Sequence, residues 1–402
     1  MADGLTPTEQ FVFQVCRSSF LSLWSYANPQ GSQPGKELCD VLVVCDPDVL
    51  IFSVKGIKVT NHQDVAIQWD RWQRKAIDES CTQIYGAERW LAKSATAIQR
   101  DGTPGLHLPD LSRRRIHRLA VAIGSEGKVP IKYGDFGKGF VHVFDEITFN
   151  IVLGELDTIT DFIAYLTDKE NFHRSGTHTL YEGAEEDLLA FYLHRGRTFP
   201  SGYTQLLIGE HLWEEFIKKD QYQAKKVEDR ESYFWDGLIE TISRHMIGGT
   251  LLPGADLTQT ELALRTLARE NRFNRRLLGK SFSEFLNLSG KGEVESRCVL
   301  SPSGVVYVFL ASPLEEDREY RTQKLGLRCF VARGIHPDSK TVIGIGTEKY
   351  KPNQGFSLDL LYLFMDNWSS EDQAKMEGIQ KDLGYFVNPN FQSFHDDEYP
   401  SR

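Results

Sequence analysis

Apolar residues recur along this chain at two spacings, and the spacing sets the element. In TPTEQFVFQVCRSSFLSLWSYANP (6–29), Phe11, Val15, Ser19 and Leu23 share one helical face. Thr6 or Thr8 is placed to cap it, and Pro7 and Glu9 stand in the first turn, predicting a helix of about four turns that ends before Pro29. LCDVLVVC and DVLIFSVK (38–55) are apolar and β-branched, and Asp46-Pro47-Asp48 between them signals a turn, so they predict a hairpin. From Asp64 onward Trp69, Trp72, Ala76, Gln83 and Ala87 recur near helical spacing, predicting a long helix over 64–94. RRIHRLAVAIG is a further strand candidate, KGFVHVFDEITFNIVLGEL supplies one or two more, and TITDFIAYLTDKENF a helix.

The order helix, hairpin, helix, strand points to an α/β core with a mixed sheet. HRSGTH (173–178) marks a first boundary, giving an N-terminal domain over 1–175. Residues 176–290 are mainly helical in period, and 291–402 form a C-terminal α+β region in which SRCVLS, GVVYVFLAS, LRCFVARGI and KTVIGIGTE read as strands. SSEDQAKMEGIQKDLGYF reads as a last helix. There is no internal repeat and no low-complexity tract.

Composition narrows the class. Of 402 residues 41% are hydrophobic and 25% charged, the balance of a globular protein rather than a disordered or fibrous one. No apolar run of about eighteen residues occurs, so no membrane partner is expected. The N-terminus lacks the basic start of a secretory signal, and the six cysteines (Cys16, Cys39, Cys45, Cys81, Cys298, Cys329) contain no CxxC pair; both favour a cytoplasmic chain with reduced thiols. The net charge of −10 argues against coating nucleic acid by bulk electrostatics. The acid excess lies after residue 120, because residues 1–120 hold 14 of the 46 basic residues against 13 of the 56 acidic ones. LSRRRIHRL, with Arg113, Arg114, Arg115 and Arg118, is the densest basic cluster and the candidate contact for a polyanion, or otherwise a solvated face. RENRFNRRLLGK (269–280) is a second basic segment, whose Arg272, Arg275, Arg276 and Lys280 could follow a phosphate backbone but read first as a solvated face.

The hairpin carries charges that apolar packing does not explain. Burying an unpaired carboxylate or ammonium costs several kcal/mol, yet Asp40 opens the first strand and Lys55 ends the second. Alternate residues of a strand share a face, so Ser53 and Lys55 point the same way and Asp40 can meet them across the hairpin. Glu37 lies at the entrance of the first strand.

An acid on one strand, and a polar residue two before a lysine on the next, resembles the active-site pattern of the PD-(D/E)XK nuclease superfamily, over roughly residues 5–130. The resemblance implies a restriction-endonuclease-like mixed sheet flanked by helices, with Mg2+ or Mn2+ as cofactor. Asp40 would bind the metal and Lys55 would orient or polarise the attacking water. Glu9 would be the glutamate of the preceding helix, and Gln83 the glutamine that some branches place on the following helix, although Tyr85 does not stand at their spacing. Ser53 stands where the family has its second acid, which removes one negative charge from the site. Glu37 or Glu9 could replace that acid, with the backbone carbonyl of Val54 as a further ligand. The implied function is metal-dependent hydrolysis of nucleic acid, DNA favoured over RNA, in bacterial anti-phage defence, with a homodimer or a defence protein as further partners. The alternatives are a non-catalytic module of the same fold that binds nucleic acid or a protein, and an unrelated α/β enzyme.

Overall fold

The computed structural model describes residues 5–31, 35–59, 63–127, 131–251, 255–351, 357–387 and 396–400. The chain divides into two compact units, 1–222 and 223–402, so the helical stretch 176–290 is shared between them.

The first unit opens with α1 (Pro7–Phe20), whose N-terminus is a capping box: Thr6 caps the Glu9 N–H while the Glu9 carboxylate accepts from the Thr6 N–H. The helix stops earlier than its periodicity suggests, at Leu21, which takes φ 68°, and β1 (Ser25–Ala27) follows. β2 (Val41–Cys45) and β3 (Asp48–Gly56) form the hairpin. The long helix that follows is interrupted: α2 (Val65–Gln73) passes through a π-helical turn, Arg74–Asp78, into α3 (Glu79–Leu91). Then come β4 (Thr96–Ile98), β5 (Pro104–His107), β6 (Arg115–Ile123), β7 (Gly134–Asp135) and β8 (Phe140–Phe144). α4 (Glu146–Glu155), α5 (Ile159–Arg174), β9 (His178–Tyr181), α6 (Glu185–His194), β10 (Gln205–Ile208) and α7 (Leu212–Ile217) complete the unit, and α8 (Asp220–Glu228) crosses the division.

Six strands form one mixed sheet in the order β1-β2-β3-β6-β8-β7. β1, β2 and β3 are an antiparallel meander, β6 joins β3 in parallel, β8 joins β6 in parallel, and β7 closes the edge antiparallel. One face carries α2 and α3: Leu42, Val44, Val49 and Ile51 pack with Trp72, Ala76, Ile77 and Ile84. Each such fully buried aliphatic side chain contributes about 1.5–3 kcal/mol. On the other face Phe52 meets Phe149 of α4, and Phe149 meets Phe11 of α1.

ITFNIVLGEL, read as a strand, is helical. Asp145 caps α4 in a reciprocal box with Thr148, and Phe149, Val152 and Leu153 are buried. A short, nearly continuous apolar run reads alike for a strand and a buried helix, and here the cap decides.

In the second unit α9 (Tyr233–Ile247), α10 (Leu257–Ala268) and α11 (Arg272–Gly290) precede a four-stranded sheet, order β11-β12-β13-β14. Its strands are β11 (Ser296–Leu300), β12 (Val306–Ser312), β13 (Thr341–Glu348) and β14 (Leu358–Phe364). α12 (Arg318–Ile335) connects β12 to β13, and α13 (Ser370–Leu383) ends the unit. LRCFVARGI thus lies in a helix rather than a strand, because Leu325, Cys329 and Ala332 share a helical face against Val308, Leu310 and Val342. The second basic segment is no solvated face either. Arg272 and Arg275 of α11 are buried on Asp236, and Arg276 is buried 3.3 Å from Asp229.

Candidate active site at the open end of the hairpin

β2 is shorter than β3, and the difference creates the site. The last ladder pair is Val41 with Phe52, and the Asp40 N–H still donates to the Phe52 carbonyl at 3.1 Å. Beyond it the backbone leaves the sheet, with the Leu38 N–H turning to Pro29. Val54 therefore has no strand neighbour on that side. Its N–H donates instead to Asp40 Oδ2 at 2.5 Å, so a side chain stands in for the missing rung. In an antiparallel ladder the N–H and C=O of one residue point to the same neighbour, which directs the Val54 carbonyl into the gap beside Asp40.

Four further side chains act there. Ser53 is fully buried and donates its hydroxyl to Gln83 Oε1 at 2.7 Å, and Gln83 also gives Asp40 a side-chain hydrogen bond. Lys55, half-buried beside the final Gly56, is not paired with an acid in any ion pair among the described residues, and its charge acts on Asp40. The first turn of α1 closes over the strand end: a Cβ on Gly56 would come within 2.9 Å of Thr8. That contact brings Glu9 close enough for its charge to act on Asp40 as well.

The electrostatics follow from burial. Asp40 is 4% exposed, and desolvation raises its carboxyl above the ordinary range, with the negative Glu9 adding to the rise. The Val54 N–H, the Lys55 ammonium and the Gln83 amide favour the ionised form but do not outweigh the burial.

Of the residues singled out from the sequence, Asp40, Ser53, Val54, Lys55 and Gln83 converge, and Glu9, whose carboxylate accepts from the Thr6 N–H at 2.9 Å, acts on Asp40 through its charge. Glu37 does not join them. It is exposed, accepts from Asn28 Nδ2 at 2.9 Å and pairs with Gln30 through a β-bridge. The four arginines are engaged elsewhere. Arg113 meets Asp46 at 2.5 Å, Arg115 meets the buried Asp48 at 2.7 Å, and Arg118 grips Glu88 through two bonds of 2.7 and 2.6 Å. Arg114 donates to the carbonyls of Pro109 and Leu91. The parallel register places Arg115 beside Asp48 and Ala122 beside Lys55, so Arg115 stands at the opposite end of the sheet from the site, roughly 23 Å away at about 3.3 Å per residue.

Among the described residues no three or more His, Cys, Asp or Glu side chains gather as a metal centre. The donors at the site are two carboxylates, Asp40 and Glu9, and the Val54 carbonyl. This set suits a hydrated Mg2+ or Mn2+, which keeps several waters and needs only one or two carboxylates; it does not suit Zn2+, which takes Cys and His, or Ca2+, which takes six or more oxygens. Also among the described residues, no helix is long and apolar enough to cross a membrane. Compared with known protein families, curated proteins and solved structures, the chain finds no match.

Proposed function

We propose that the N-terminal unit is a metal-dependent nuclease that hydrolyses phosphodiester bonds, DNA favoured. The observation that carries this reading is the convergence of Asp40, Glu9, Lys55 and Gln83 on the end of β3, where β2 has stopped and the Val54 carbonyl faces the gap. The arrangement of an antiparallel hairpin, a following helix and a parallel strand agrees with the fold that the PD-(D/E)XK resemblance implies.

Asp40, Glu9 and the Val54 carbonyl would hold Mg2+ or Mn2+, which when bound supplies a water of lowered pKa and charge to offset that on the phosphate. Lys55 presents its ammonium to the attacking water and to the oxygens that gain charge in the transition state. Gln83 fixes the Asp40 carboxylate from the side and holds the Ser53 hydroxyl away from it. A role in defence against phage rests on analogy with other nucleases of this fold. The test is cleavage of supercoiled, linear and single-stranded DNA and of RNA by the purified chain. Mg2+ or Mn2+ should be required and EDTA should abolish the reaction; undiminished cleavage in EDTA would sink the assignment.

One observation favours a second reading, a non-catalytic module that binds nucleic acid or a protein: the place of a second acid is taken by Ser53, closed off by Gln83. Ser53→Asp separates the two. The new carboxylate faces the Gln83 amide, which can turn its NH2 toward it. If the site holds a cation, the variant should bind Mn2+ more tightly than wild type by calorimetry and melt lower without metal, since it adds a buried charge. An unchanged metal titration would mean that position 53 does not face the ion.

A further inference from the structure

A cavity of about 290 Å³ lies along the flank of α3, between that helix and the loop joining β7 to β8. Asp78, Thr82, Tyr85 and Arg89 line it from the helix side, and Phe136 and Lys138 from the loop. The loop is held in place: the Tyr85 hydroxyl donates to the Gly139 carbonyl at 2.8 Å, and Asp135 accepts from the Gly137 and Gly139 N–H groups at 2.7 and 3.1 Å. Gly137 and Gly139 both have positive φ, the conformation this tight loop requires.

The charges in the cavity are sorted. Arg89 and Lys138 are exposed and paired with no acid in any ion pair among the described residues, unlike the arginines at positions 113, 115 and 118. Asp78 lines the far end, eleven residues before Arg89 or roughly 16 Å along the axis at about 1.5 Å per residue. The rings of Phe136 and Tyr85 also face the cavity, and Lys132 lies over Phe136 at 5.9 Å from the ring centre.

We infer that this cavity binds one nucleotide unit of a single-stranded nucleic acid, its phosphate between Arg89 and Lys138 and its base against Phe136. Two cations without an ion-pair partner among the described residues, beside the half-buried ring of Phe136, match a phosphate joined to a base, and stacking on such a ring tolerates any base. Asp78 repels a second phosphate at the far end, and the volume sits at the lower bound for small-molecule pockets, about 300 Å³, so a single unit is admitted. α3 carries both sites, since Gln83 reaches Ser53 from the same helix. The inference rests on the nuclease reading for its occupant, a substrate strand that runs along the sheet rather than beside the hairpin: Phe140, next to the cavity loop, lies level with Leu50, five residues or roughly 16 Å from Lys55 at about 3.3 Å per residue.

The experiment measures binding of a fluorescein-labelled single-stranded 12-mer and of adenosine monophosphate, without metal, to wild type, Arg89→Gln/Lys138→Gln, Phe136→Leu and Lys55→Ala. All these side chains are exposed or half-buried, and thermal melts verify folding. The double variant should bind the 12-mer at least about tenfold more weakly, with a salt slope smaller by about one to two, and Phe136→Leu should weaken binding at an unchanged slope. Unchanged 12-mer affinity in the double variant overturns the inference. Loss of monophosphate binding alone overturns the strand as occupant and leaves a free nucleotide. Cleavage by the same variants is assayed separately with Mn2+: if Lys55→Ala cleaves normally while the double variant loses the 12-mer, the hairpin reading fails and the cavity stands; the reverse pattern leaves the hairpin and removes the cavity.

Discussion

Lys55→Ala is expected to slow cleavage by about 10²–10⁴-fold, the range in which positioned proton-transfer groups and oxyanion donors act, while the chain stays folded. The lysine is half-buried at the end of β3 and makes no ion pair among the described residues, so its removal breaks no direct bond, and the buried Asp40 loses only a favourable charge. A stability change of about 0.5 kcal/mol or less is expected, as for surface substitutions generally. One side effect follows from the site itself. The Lys55 charge favours ionised Asp40, so the variant's carboxyl rises further and metal binding weakens at a given pH. Rates are therefore compared at saturating Mn2+, where a loss of transition-state stabilisation persists and a loss of metal affinity does not. Lys55→Arg keeps the charge but spreads it over a planar fork, and should recover metal affinity more fully than rate. If Lys55→Ala cuts as well as wild type at saturating metal, the hairpin is not where the chemistry happens.

The parts of the site that were legible in the sequence depend on short-range geometry. Strand alternation places Ser53 and Lys55 on one face, the hairpin brings Asp40 to them, and the capped helix start fixes Glu9 near the strand end. Gln83 was legible because it follows the same helical spacing as Trp72 and Ala76. What remained hidden depends on partners distant in sequence. Arg113 and Arg115 look like an uncommitted cluster until β6 lies parallel to β3, which brings Asp46 and Asp48, each 67 residues away, onto them. Arg118 is likewise claimed by Glu88, 30 residues away. Glu37 looked available because nothing local reveals that Asn28 takes it. The fold class was readable from the alternation of helical and strand patterns, but α4 and α12 were not separable from strands by apolar content. Their caps, Asp145 with Thr148 and Asp317 on the Glu319 and Tyr320 N–H groups, were the missed signal. The cavity beside α3 left little trace in sequence, since Phe136 and Lys138 sit in a glycine-rich loop that carries no strand or helix pattern.

Asp40→Asn is expected to abolish metal-dependent cleavage and, without metal, to make the protein more stable near neutral pH. Asparagine keeps an acceptor for the Val54 N–H through Oδ1, so the rung that closes the end of the hairpin survives. What it removes is a buried negative charge. Burial raises the Asp40 carboxyl above its unfolded value, which means the folded state holds a proton there more tightly than the unfolded state does. The linkage then has a definite sign: the stability tied to that proton is fully present below the ordinary carboxyl range of about 4 and is lost as pH rises through the raised value. Wild type thus carries a penalty at neutral pH that the neutral amide avoids, and the gap between the two melting temperatures in EDTA should shrink as pH falls toward 4. Wild-type cleavage should rise with pH through the same interval, because a metal needs the ionised carboxylate. Such an exchange of stability for activity is what a charge kept for chemistry produces. The opposite result, a variant that melts lower at neutral pH, would mean that Lys55, Gln83 and the Val54 N–H stabilise the carboxylate by more than its burial costs. Asp40 would then be a strand cap, and the charges at the end of this hairpin would serve the fold alone.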